Sequence, residues 1–504
     1  MAYRVGLLIV LVAAAAGCAR AAPDVGAARP AVAGTPATQA SAPPGSGRPP
    51  PTVAGAAAST SVGDPRFGEL GSADLDVEHY AAELRYEPAD RTLHGIVTVR
   101  GQVTRSVSEI ALDLAGPHVD SVRSPSATLS WEQLGNELLV DLGDPVRAGG
   151  SFEVTVAYSV GVRPLTVFDA DAAGVFASGD GLWSVNEPAG ARTWLPVNDH
   201  PTDKATWSFA VSVPDGSTAV SNGELVGSAS AGGRTVWRWE QAEPMASYLI
   251  VLLVGDYELV DAGTSRTGVP LHHAVLAEAA AAGEGLAAYT DVTDEQLTFF
   301  AGLFGPYPFD RYGLALTDSV PGLAMETQGL ALFSAGDLDG SLGTYQQLLL
   351  AHELAHQWFG NAVSPATWND IWLNEGLATY GEWLWLEHAG LADVEQLAAE
   401  ALAGLPPGGG PVGAPVDLFG GWSYDGGAAA VHAIRRTIGD AVFFPALAGW
   451  VAEHLDGTAS TGDLRAHLEA ASGDDLGALF GDWVDADRLP ASYPGEPVAP
   501  PGAP

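Results

Sequence analysis

The hydrophobic pattern of this chain changes period once, after residue 276, and that change limits the folds open to it. Upstream, TLHGIVTVRGQV, SFEVTVAYSV, WSFAVSVP and TVWRWEQ alternate apolar and polar residues and are rich in Val, Thr and aromatics. Period-2 stretches bounded by Gly, Pro and Asp predict strands with one buried face. SYLIVLLVGDYELV predicts a buried strand followed by a more exposed one. After a further strand at VPLHHAVL the spacing becomes helical, in AAGEGLAAYTDVTDEQLTFFAGLFG, LGTYQQLLLAHELAHQWFG and DIWLNEGLATYGEWLWLEHAG. The second of these helices is expected to end at Gly360. More helices are expected around 428–438, 441–455 and 462–471, with GLPPGGGPVGAPVDLFGG as a loop. The expected fold class is α+β multidomain: an all-β N-terminal domain at 67–262, then a mainly α-helical domain at 263–490.

The ends of the chain read differently. MAYRVGLLIVLVAAAAGCAR has a basic start and an apolar run too short to span a bilayer as a helix, which predicts a secretory signal at 1–17. Cys18 is the sole cysteine, so no intramolecular disulfide is possible, and the ending AAGC resembles a bacterial lipoprotein box. That resemblance implies lipid on Cys18, a membrane anchor, and an exported protein facing the extracytoplasmic side. Residues 18–66 are Ala, Pro, Gly, Ser and Thr with few large apolar residues, and are expected to be a flexible tether. The Pro-rich tail at 491–504 is similar. A net charge of −39, from 61 acidic against 22 basic residues, argues against nucleic acid as a partner.

Chemistry concentrates at HELAH. His352 and His356 are four apart and so share one face of a helix, as two imidazole ligands of one metal must. Glu353, about 100° around the helix from His352, falls beside such a metal, where it takes a proton from water rather than ligating. Leu348, Leu349, Leu350, Leu354, Trp358 and Phe359 make the helix apolar on several sides, so it is expected to be buried and its polar residues need a partner. WLNEGLATY supplies Glu375 from another helix as the third ligand of one Zn2+ per chain, with a fourth position left for water or substrate. The alternative is a helix whose histidines are solvated or paired. Glu382, two turns beyond Glu375, either hydrogen-bonds a ligand imidazole or faces solvent. His200 and the aromatics near Trp383 and Trp385 are expected to be packing residues, and the adjacent His272 and His273 to point to opposite faces of a strand in structural roles.

His-Glu-x-x-His, followed after residues 357–374 by Glu375 within Asn-Glu-Gly, resembles the M1 family of zinc metallopeptidases. NEPAGARTWLPVNDHPTDKATWSF, which holds the only lysine, Lys204, resembles that family's β-domain signature. LFGPYPFDRYGLAL, SYDGGAAAVHAIRRTIGD and FGDWVDADRLP resemble further segments, so the likeness runs from about Leu75 to Pro490. It implies a β-rich domain packed on a thermolysin-like catalytic domain, and a zinc aminopeptidase acting on peptides with a free N-terminus. It makes His352, His356 and Glu375 the zinc ligands, Glu353 the base, and Tyr424 the donor to a developing oxyanion. In LAMET, Ala324, Met325 and Glu326 match the substrate-binding Gly-Ala-Met-Glu-Asn of the family, while Leu323 and Thr327 depart from it. Glu326, with Glu187 of NEPAGAR, would bind the substrate's α-amine. A zinc endopeptidase on the same scaffold, or a catalytically silent peptide-binding surface lipoprotein, are the competing expectations.

Overall fold

In the computed structural model, residues 57–167, 170–277, 284–317 and 324–496 are described; Cys18, Leu323 and the expected signal lie outside them. Alternating burial builds the first half into sheets. Leu75–Glu87 buries every second residue over most of its length, pairing antiparallel with Thr92–Val103 and parallel with Ala205–Pro214. These are the centre of a seven-stranded sheet in the order Glu224–Ala231, Arg234–Met245, Ala205–Pro214, Leu75–Glu87, Thr92–Val103, Ser151–Gly161, His118–Arg123. Its buried face shares one core with strands from a five-stranded and a three-stranded sheet. Gly95 is required there, because a Cβ would stand 2.2 Å from the Tyr158 ring.

The second half has its own five-stranded sheet, in the order Tyr257–Thr264, Pro270–Leu276, Leu314–Thr317, Ala331–Ser334, Ala324–Met325. Helices Glu284–Phe304, Thr344–Ala355, Trp372–His388, Asp425–Ile438 and Asp440–Glu453 build a second apolar core beside it. Small residues set two close helix contacts. A Cβ on Gly381 would lie 2.9 Å from Ala355, so Trp372–His388 sits tightly on Thr344–Ala355. A Cβ on Gly376 would lie 2.6 Å from the Gly427 Cα, and one on Gly427 would lie 2.7 Å from the Gly376 Cα. Glu375 precedes the first of these glycines and Tyr424 lies one turn before the second, so this contact brings the two side chains to the same place.

Four expected boundaries move. The folded chain begins before residue 67, because Asp64 is buried and the Ser59 N–H bonds to Asp74. The expected domain division at 262/263 cuts the strand Tyr257–Thr264, which hydrogen-bonds to Pro270–Leu276 and so belongs to the second sheet. The fold also passes residue 490, since Tyr493 is buried and its hydroxyl donates to the Ala398 carbonyl. The helix expected to reach Gly360 ends at Ala355: Gln357 and Trp358 make tighter i→i+3 bonds to Leu354 and Ala355. Gly360, at φ +119°, turns the chain. Among the described residues no helix is long and apolar enough to cross a membrane.

Gly427→Ala is expected to destabilise the fold by about 1–3 kcal/mol through overpacking against the Gly376 backbone. The urea midpoint measures this; an unchanged midpoint would mean that the two helices separate freely.

Candidate metal centre

The two imidazoles of HELAH face one point. His352 Nδ1 donates to Glu382 Oε1 at 2.5 Å, and His356 Nδ1 donates to the Phe359 carbonyl at 3.0 Å. With both Nδ1 atoms used as donors, the two imidazoles in their neutral form present both Nε2 lone pairs inward, only 3.0 Å apart. Glu375, in the first turn of Trp372–His388, brings Oε2 to 3.3 Å from His352 Nε2 and 3.5 Å from His356 Nε2. That oxygen is buried and makes no well-formed hydrogen bond. Three convergent lone-pair donors with no shared proton are a donor set for a divalent cation, and two imidazoles with one carboxylate are a fit for zinc.

More negative charge surrounds this set. Carboxylate and imidazole atoms of Glu326, Glu353 and His356 lie within 4.8 Å of one another, as do carboxylate oxygens of Glu187, Glu326 and Glu375. Glu187 Oε1 and Glu326 Oε1 are both buried without a hydrogen bond. Burial pushes Glu353 up to about 8, opposed by His352 and His356. Burial first, then Glu326, Glu375 and Glu353, push Glu187 well above the usual carboxylate range. Burial raises Glu326 as well. Glu375 differs: burial would raise it, but the two imidazoles hold it at about 2. Burial would depress His356, yet Glu326 and Glu375 outweigh it and lift the imidazole to about 9. The raised carboxyls reflect burial in a crowded cluster of negative charge, and Glu375 is the member that the two imidazoles compensate.

The remaining expected residues gather around this cluster. Glu382 is 8% exposed and faces His352, not solvent. Tyr424 stacks over His352 with ring centroids 6.0 Å apart, and burial, then Glu375, Glu187 and Glu326, raise its pKa far above the usual value. Ala324 and buried Met325 form the short strand at the sheet edge. Thr327, one of the two departures in LAMET, is fully buried, and its hydroxyl donates to the Leu330 carbonyl, so it closes its own turn. His200, His273, Trp383 and Trp385 are buried packing residues, whereas His272 points outward.

Sequence reasoning missed the residues that hold Glu326 in place. Gln357 Nε2 and Asn361 Nδ2 both donate to the Glu326 carbonyl, at 3.0 and 2.6 Å. Gln357 Oε1 accepts the Gly329 N–H at 3.0 Å. The signal was a glutamine and an asparagine placed in a buried apolar run, where each needs partners. Lys204 Nζ reaches from the β-domain to the carbonyls of Asn361 and Ala362, at 2.7 and 3.0 Å. Tyr248, also from the β-domain side, donates to the Gly360 carbonyl at 2.8 Å.

The model of the Peptidase M1 N-terminal domain matches residues 76–249, and that of the Peptidase family M1 domain matches residues 289–406. The crystal structure of M1 zinc metallopeptidase from Deinococcus radiodurans superposes with a TM-score of 0.77 at 32% identity, covering 88% of this chain and 100% of that one. The chain belongs to peptidase family M1. A variant of the Deinococcus radiodurans M1 zinc metallopeptidase bound to a Tyr-Ser-Ala substrate matches with a TM-score of 0.76 at 32% identity, covering 85% of this chain and 98% of that one. Aminopeptidase M1 of Arabidopsis thaliana is 31% identical over 60% of this chain and 36% of its own length. Probable M1 family aminopeptidase 1 of Encephalitozoon cuniculi is 27% identical over 83% of this chain and 51% of its own length. The chain thus spans about a third to a half of the curated relatives it matches, and its all-β half followed by a helical half is the architecture of the M1 structures.

Glu382→Ala is expected to weaken zinc binding by about 10- to 100-fold, the usual effect of losing a carboxylate behind a ligand imidazole. Chelator competition measures it, and unchanged affinity would show that Glu382 does not orient His352.

Proposed function

We propose that this protein is a zinc aminopeptidase that removes N-terminal residues from peptides. The observation that carries the reading is the convergence of Glu187 and Glu326 beside Glu375, with carboxylate oxygens within 4.8 Å. Buried carboxylates this close repel unless a cation lies among them. A peptide's charged α-amine is such a cation, and the interior of a peptide is not. An amine held there would set the first peptide bond over the His352, His356 and Glu375 set. The strand Ala324–Met325 ends its sheet, so an extended peptide has an edge to pair with.

His352, His356 and Glu375 would hold one zinc ion. Zinc, when bound, supplies a Lewis acid that polarises the scissile carbonyl and acidifies water at the site. Glu353 would take the proton from the attacking water and pass it to the leaving amine. Tyr424, kept protonated by its buried, acidic surroundings, would donate to the oxygen of the carbonyl as charge develops on it.

Truncating one member of a buried charge pair costs about 2–5 kcal/mol, about 30-fold to several-thousand-fold in kcat/KM. Acetylated substrates are expected to lose at least that much relative to free ones, and Glu326→Ala to lose much of the preference. Equal cleavage of free and acetylated peptides, with cuts inside the chain, would replace this reading with an endopeptidase.

We also infer export and a lipid anchor at Cys18, facing the extracytoplasmic side of the cell membrane, from the apolar run and the AAGC ending. Cys18→Ser is expected to abolish lipid labelling and release the protein from the membrane fraction. Unchanged fractionation would assign the attachment to something else.

A further inference from the structure

The segment Asp64–Phe67, which the sequence assigns largely to a tether, touches the turn that leads into the helix of Glu375 and the loop that leads into Tyr424. Asp64 is 5% exposed. Its Oδ1 accepts the N–H groups of Arg66 and Phe67, at 2.7 and 2.8 Å. Its Oδ2 accepts the Trp368 N–H at 2.8 Å and faces His200 Nε2 at 3.1 Å. Burial would raise this carboxyl, but the hydrogen bonds outweigh it and hold it at about 2. Trp368–Ile371 is the turn that opens directly into the helix bearing Glu375 and Glu382. Phe67 packs edge-on against Trp368, with ring centroids 6.2 Å apart.

Two residues beyond Asp64, the Arg66 fork crosses to the loop that leads into Tyr424. Nη1 donates to the Pro415 carbonyl at 2.6 Å and Nη2 to the Val416 carbonyl at 3.0 Å. From there the loop is tied at short intervals. The Val416 N–H bonds to the Gly409 carbonyl at 2.8 Å. Leu418 is fully buried and joins the core of the β-domain. The Ser423 hydroxyl donates to the Leu418 carbonyl at 2.7 Å, and Tyr424 is the next residue. On its other side, Tyr424 is held by the helix contact at Gly427. GLPPGGGPVGAPVDLFGG is glycine-rich and has much backbone freedom to lose when it orders. Two charge-assisted bonds from one planar fork offset part of that loss at the loop's midpoint.

We infer that Arg66, braced by Asp64, is a positioning residue for Tyr424, so that the N-terminal segment of the fold is part of the machinery that sets the oxyanion donor. The clamp is a matter of geometry; its effect on turnover rests on the aminopeptidase reading. In a zinc-loaded full chain, Arg66→Ala, Tyr424→Phe and the double variant are compared for kcat and KM on an unblocked aminoacyl substrate. Hydrogen exchange is followed at the amides of 416–424. Arg66→Ala is expected to lower kcat about 10- to 100-fold, the effect of a slightly misplaced group, while KM stays within about twofold. Exchange should quicken across 416–424 and not across 344–355. In the Tyr424→Phe background, Arg66→Ala should cost nothing further. Losses that multiply in the double variant, or wild-type exchange at 416–424, overturn the assignment. If Arg66→Ala fails to fold, Arg66→Lys, which keeps the charge and loses the fork, is read in the same way. Absence of turnover in the zinc-loaded wild type would sink the peptidase reading alone, and the exchange comparison would then decide the clamp by itself.

Discussion

Four glutamates and two histidines share one buried volume, and their mutual repulsion is the constraint that the rest of the fold answers. Glu187, Glu326, Glu353 and Glu375 cannot all carry charge in a dry site without compensating cations. Two inward-facing imidazole lone pairs 3.0 Å apart add to the same demand. A metal among His352, His356 and Glu375 would answer one part of it, and, on the proposed reading, an ammonium between Glu187 and Glu326 would answer the other. The empty-handed oxygens are therefore the ones expected to meet a ligand: Glu187 Oε1, Glu326 Oε1 and Glu375 Oε2 are buried and unbonded. Oxygens left like this without a functional reason would be a direct loss of stability.

Such a cluster holds its geometry only if its supports are stiff. The helix contacts at Gly381 with Ala355 and at Gly376 with Gly427 leave no room for a methyl group. They fix how far Glu382 stands from His352 and Glu375 from Tyr424. The turn after the metal helix does a second task. Its Gln357 and Asn361 amides take hold of the Glu326 backbone, so Glu326 is registered directly against His352 and His356. The β-domain then grips that same turn through Lys204 and Tyr248.

The parts legible in the sequence were those with a local period or a fixed donor chemistry. HELAH and Glu375 could be read because helical geometry places His352 and His356 together and metal chemistry asks for a third donor. Glu382 was only half legible: two further turns of the same helix return to the same face, but only the fold decides that it meets His352 and not solvent. The strands could be read from alternation alone, but not the pairing that puts Tyr257–Thr264 in the second sheet. What stayed hidden were single side chains gripping a distant backbone. Arg66 meets Pro415 across 349 positions, and Lys204 meets Asn361 across 157. Bonds of this kind have no period, and the acceptor is a carbonyl that every residue carries. The helix end was misjudged because Gly360 signals a turn, but the backbone tightens to i→i+3 bonds at Gln357 and Trp358 before the chain reaches it.

The division of labour between the two halves follows from where the carboxylates come from. Glu353 and Glu375 lie on helices of the second half, beside the histidines they serve. Glu187 comes from the β-domain, just after the strand Gly181–Val185, where Asn186 anchors the chain to the Ile250 carbonyl and Trp194. Glu326 comes from the second half, but its carbonyl is held by Asn361, whose own carbonyl accepts from Lys204 of the β-domain. The proposed hydrolytic set can thus be assembled within one half, whereas the proposed amine site is completed only where the halves meet. A small slip between the domains would leave the metal ligands in place while separating Glu187 from Glu326, and would relax the demand for a free N-terminus before it stopped hydrolysis. If the proposed function holds, selection of the substrate would be a property of the interface and the chemistry a property of the helices.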